Sequence, residues 1–132
     1  MAKRNVYWRA AYWLLLAIWV TAGALVMMKR RGGWLTSYGD DLALPAWLYI
    51  LARNLHGGRV GLLQRTIGRT PEIACAAIML ASVGTEISQY FWPHGLFHGT
   101  YDPLDIAAYV IGTGSVYLAE KLSQRTARSA AS

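Results

Sequence analysis

Apolar residues along this chain come in four runs separated by short polar or basic stretches. The first run, residues 10–28, carries no charge over 19 positions, enough for a helix to cross a bilayer core of roughly 30 Å. The second, residues 37–55, is weaker. Its uncharged centre covers only 42–52, and Pro45, which lacks a backbone N–H, predicts a kink there. The third, residues 72–92, is apolar or small apart from its ends, Glu86 and Gln89, and the fourth covers 103–119. Thr70-Pro71-Glu72 and Asp102-Pro103-Leu104-Asp105 each read as a cap, a proline at the first helical position and an acid in the first turn. Ser37 and Asp40 have the spacing of a capping box. The pattern predicts an all-α membrane protein, a four-transmembrane-helix bundle over residues 10–120. A cytoplasmic N-terminal tail (1–9) precedes it and a flexible cytoplasmic tail (121–132) follows.

Composition agrees with that class. The chain is 55% hydrophobic with six Trp and only 15% charged residues, too apolar for an ordinary soluble domain of 132 residues. Lys3, Arg4 and Arg9 before the first run, and Ala22-Gly23-Ala24 within it, resemble a signal peptide, but an h-region spans only about 7–15 residues and more apolar runs follow. The net charge of +6 does not make a nucleic-acid surface, because the basic residues are spread over the flanks of apolar segments instead of one patch. Cys75 lies in the third apolar run and is read as a buried small hydrophobe.

The basic residues set the orientation. With both termini inside, the inner flanks hold ten Lys and Arg and the outer ones three, Lys29, Arg30 and Arg31. Residues 93–102 contain neither, as an outer loop should. Trp8, Trp34 and Trp92 then fall at the membrane interfaces. The expected location is the inner (plasma) membrane, multi-pass, N-in and C-in. Residues 59–69 mix basic and apolar residues, as an inner-surface segment or a solvated loop would.

In this topology Asp40, Asp41, Glu86, Gln89, Asp102 and Asp105 gather in the outer third of the bundle. Glu86 stands out, because no helix end explains an acid there and a mid-membrane charge costs at least roughly 2.5–3.5 kcal/mol. Glu86, Gln89 and Tyr90 share one helical face, as do Asp105, Tyr109 and Gly112. Ala108, Gly112, Ser115 and Ala119 form a small-residue seam that lets another helix approach. Capping or helix-dipole roles compete for Asp102, Asp105, Asp40 and Asp41. His94 and His98, four apart in the outer loop, are weak metal ligands and His56 reads as a loop residue. Neither a metal nor a cofactor is expected.

Glu86-x-x-Gln89, an outer loop and Asp102-x-x-Asp105-x-x-x-Tyr109-x-x-Gly112 resemble the signature of VanZ-like membrane proteins, with Asp40 or Asp41 as the acid at the start of the second helix. The likeness runs over about residues 34–120. Tyr109 stands where that family has Asn, a form seen in a small related family, and Gly99 stands where it has Arg, so no role of that Arg carries over. The resemblance implies a small cell-envelope protein, in a family associated with resistance to the glycopeptide teicoplanin. It also implies an outer-leaflet acidic pocket for a lipid headgroup, a cell-wall precursor or a glycopeptide-related ligand, without catalysis. Two other classes compete: a membrane enzyme using Glu86 and Asp105 as acid and base, and a proton or ion pathway through Glu86. Partners are the bilayer and such an envelope ligand, with no nucleic acid; self-association is left open.

Overall fold

The computed structural model describes residues 2–30, 33–59, 61–95, 99 and 101–132, with side chains from residue 5 onward. Arg31 and His98 fall outside the described residues. Helix α1 spans Ala2–Met27. A π-helical segment, Leu35–Gly39, runs directly into α2, Asp40–Ala52. Short α3, Leu62–Thr66, and a 3-10 turn, Ile67–Arg69, lead to α4, Pro71–Phe91, and α5 covers Pro103–Ala131. No strand occurs among the described residues.

Two stretches are long and apolar enough to cross a membrane, Asn5–Met27 and Pro71–Phe91. The other two fall short, α2 by length and α5 by composition. Helix α2 is 13 residues and opens on two aspartates, while α5 turns polar and basic in its second half.

Two helix starts follow the sequence grammar. The Ile73 N–H donates to Thr70 Oγ1 at 3.2 Å, and the Leu104 N–H donates to Asp102 Oδ1 at 2.9 Å. Ser37 does not cap. The helix begins before it, at Leu35, so Asp40 and Asp41 lie inside a continuous helical run, where Asp40 Oδ1 accepts from the Asp41 N–H at 3.0 Å. Pro45 is accommodated inside α2 and buried. The C-terminal segment expected to be loose is helical to Ala131. No Gly or Pro follows Gly114, and Ala, Arg, Leu and Gln propagate a helix well.

Helix α2 is the central element, with α1 against one side and α4 and α5 against the other. Small residues make this possible. Ala43 and Ala46 are fully or almost fully buried on α2, and Gly112 of α5 lies so close to α2 that a Cβ there would overlap the Leu42 carbonyl oxygen. The small-residue seam is therefore buried at Ala108 and Gly112, and at Gly112 it meets the second apolar segment. Ser115 is not part of it: exposed, it donates to its own helix at Ile111 O, while Thr113 takes the buried position. Helix α1 joins through aromatic stacking, with Tyr12 ring-stacked on His56 at 4.5 Å and Trp19 on Trp47 at 6.3 Å. His56 is thus a packing residue in the turn after α2.

Much apolar surface stays uncovered by protein. Tyr7, Trp13, Leu14 and Val20 on α1, Leu80 on α4 and Ile111 and Leu118 on α5 all point outward. Trp34 and Trp92 are exposed, whereas Trp8 is buried beside the end of α2 and the C-terminal half of α5.

Candidate functional site

The end of the bundle that holds the start of α2, the end of α4 and the start of α5 carries an open cavity of about 470 Å³. Asp40 and Asp41 reach it from α2, Glu86 and Gln89 from α4, and Asp102, Asp105 and Tyr109 from α5. All seven polar residues singled out in the sequence line it together. Val26, the π-helical segment (Thr36, Ser37, Tyr38) and Gly99 complete the wall.

Close packing sets this geometry. Gly112 brings α5 onto α2 one residue after Asp41, and Tyr109, one turn earlier on α5, then reaches across. Its hydroxyl lies 2.9 Å from Glu86 Oε1 and 3.2 Å from Asp41 Oδ1, bridging three helices through one group. A phenol has one proton to give, so it can serve only one of these oxygens at a time. The other contact to Glu86 is long: the Asp102 N–H donates to Oε2 at 3.4 Å. Gly99 lies beside the Gln89 amide, where a Cβ would stand 2.8 Å from Nε2. Asp105 does not hydrogen-bond Glu86; it sits near enough to Glu86, Asp102 and Asp40 for their charges to act on it.

Glu86 is 1% exposed. No Lys or Arg stands among the described lining residues, and no ion pair among the described residues joins Lys29 or Arg30 to these acids. Buried charges are normally paired. Here five carboxyl side chains face one space with no counter-charge supplied by the described protein.

The opposite end of the bundle provides the contrast. Glu120 is 3% exposed, yet fully satisfied. Arg53 Nε donates to both its oxygens at 3.1 Å, the Tyr49 hydroxyl donates to Oε2 at 2.6 Å, and Gln124 Nε2 donates to Oε1 at 3.0 Å. Arg53 Nη1 also donates to Gly68 O at 2.6 Å, tying the 3-10 turn to α2. At the rim Lys121 Nζ donates to Glu72 Oε1 at 2.8 Å, and that bond holds the ammonium above the ordinary lysine value. In the sequence Arg53 counts only among the ten inner-flank basic residues, and its pairing with Glu120 is not evident there. Two signals pointed to it. Tyr49 and Arg53 are four apart on one helical face, and Glu120 lies three turns below Tyr109 on α5.

Among the described residues no three His, Cys, Asp or Glu side chains are placed to hold a metal ion. His94 is exposed, away from the cavity lining. No protein-family model, curated protein or solved structure matches the chain.

Proposed function

We propose that this is a VanZ-like inner-membrane protein. It crosses the bilayer four times with both termini in the cytoplasm, and its acidic cavity lies in the outer leaflet and holds the cationic group of an envelope lipid or cell-wall precursor without chemical turnover. The observation that carries the reading is the contrast between the two buried glutamates. Glu120 has its arginine, whereas Glu86 has a shared phenol, a long backbone contact and an open acidic cavity in front of it. A ligand cation would supply the missing counter-charge, and in a site of low dielectric that attraction is far stronger than in water. Gln89, Tyr109 and the Thr36 and Ser37 hydroxyls add neutral hydrogen-bonding groups around the same space, suited to orienting a polar head.

The bilayer accounts for the uncovered aromatic and aliphatic surface of α1, α4 and α5. The test is to purify wild type and Glu86→Gln in mild detergent and identify the amine-bearing envelope lipids or precursors carried along. The reading requires a species enriched on wild type and lost from Glu86→Gln. Identical profiles would remove it.

A further inference from the structure

Two smaller cavities lie along the seam between α2 and α4, of about 210 and 180 Å³. They adjoin each other and the acidic cavity through shared walls. The upper one shares Asp40, Asp41 and Tyr109 with the acidic site, and the two smaller ones share Leu48, Ala81 and Ser82. Away from the acids the wall is apolar, built from Leu44, Pro45, Leu48, Ala52, Ala77 and Ile78. The Thr85 hydroxyl is turned away into its own helix, donating to Ala81 O at 2.9 Å. Leu63 and Ile67 close the groove at the inner end. Ala81, which lines both apolar cavities, is exposed on the surface of the bundle, so the groove is open from the side.

We infer that the ligand of the acidic cavity is a membrane amphiphile whose cationic head sits among the carboxylates and whose hydrocarbon chain lies in the α2–α4 groove. This rests on the reading of the acidic cavity given above and specifies its ligand class. Charge complementarity fixes the head: the mouth of the groove is lined by acids, with no basic group among the described lining residues. Length fits the chain. From Asp41 to Ala52 the groove follows α2 for eleven residues, about 16 Å, or roughly half of a 30 Å bilayer core. A lipid of the leaflet that contains the acids would therefore reach from cavity to floor. Lipid tails are as apolar as the groove, so the chain gains no hydrophobic transfer energy there. What the groove contributes is dispersion contact and tethering, which keeps the head at high effective concentration beside Glu86.

The experiment uses the full chain in phosphatidylcholine nanodiscs and two probes. Tetramethylammonium reports on the head site alone, and a dioleoyl trimethylammonium lipid reports on head and chain together. Retention of the lipid is read by native mass spectrometry against phosphatidylglycerol with the same chains. Wild type is expected to bind tetramethylammonium saturably and to retain the cationic lipid over the anionic one. Ala81→Trp, which fills the groove where its two halves meet, is expected to lower lipid retention roughly tenfold while leaving tetramethylammonium binding within about twofold. Ser82→Leu serves the same purpose if the Trp variant does not fold. Head binding with lipid retention unchanged in whichever groove variant folds would overturn this inference and leave the cation site standing. No tetramethylammonium binding in wild type would overturn the cation site, and this inference with it.

Discussion

Gly112 and Gly114 lie two residues apart on α5, and the same substitution at each should have opposite effects. An ideal Cβ at Gly114 meets nothing within 4 Å. Gly114→Ala therefore removes only the backbone cost of glycine in a helix, a gain of about 1 kcal/mol. A Cβ at Gly112 would stand 3.2 Å from Leu42 C and 3.4 Å from its Cα, and would overlap the carbonyl oxygen. These are backbone atoms of α2, so no rotamer change relieves the contact and the helices must part. Overpacking of this kind costs about 1–3 kcal/mol. Set against the same propensity gain, Gly112→Ala should range from neutral to about 2 kcal/mol destabilising, leaving about 1–3 kcal/mol between the two variants. Parting α2 from α5 also lengthens the 3.2 Å contact between Tyr109 and Asp41, so cation binding should weaken along with stability. Equilibrium unfolding of both variants in the same detergent, each measured against wild type, checks the difference. Equal stabilities would mean that α2 and α5 do not touch at Gly112, and the arrangement that gathers the acids would fall with that contact.

Other outcomes can be stated briefly. Arg53→Ala strands a carboxylate whose side chain is 4% exposed and should cost about 3–5 kcal/mol, whereas Lys121→Ala breaks an exposed pair and should leave unfolding unchanged; similar losses in both would refute the buried-pair assignment. In a Cys75→Ser background, Ser37→Cys should react with an impermeant maleimide on intact cells and Ser129→Cys only after permeabilisation, and the reverse pattern would invert the topology. Asp105→Asn should fold normally yet lose the ligand, and combined with Glu86→Gln it should be no worse than either change alone, as expected of one shared site; additive losses would separate the two acids.

The acidic cluster was legible in the sequence because its elements are short-range signals. Thr70-Pro71 and Asp102-Pro103 mark helix starts, the spacing of Glu86 and Gln89 fixes one face, and reversal of direction between successive helices carries the acids to one end. Pairwise contacts were less legible. Nothing in the spacing says that Gly112 seats against Leu42 and not against the third segment, because a small-residue seam specifies close approach and not the partner. The Glu120 cluster was hidden for a related reason: Arg53 looks like any inner-flank arginine until the fold brings it beside a carboxylate 67 positions away. The π-helical entry into α2 also escaped, since Ser37 and Asp40 satisfy the capping-box spacing without forming the cap.

The central claim is that the acidic cavity lacks a cation which a ligand supplies, and equilibrium binding of tetramethylammonium to purified protein in a nonionic detergent tests it most directly. Wild type should bind it saturably, and Glu86→Gln, which keeps the shape of the side chain but removes its charge, should lose at least about tenfold in affinity while unfolding at the same point. Equal affinity in the two proteins, or no saturable binding to wild type, would contradict it.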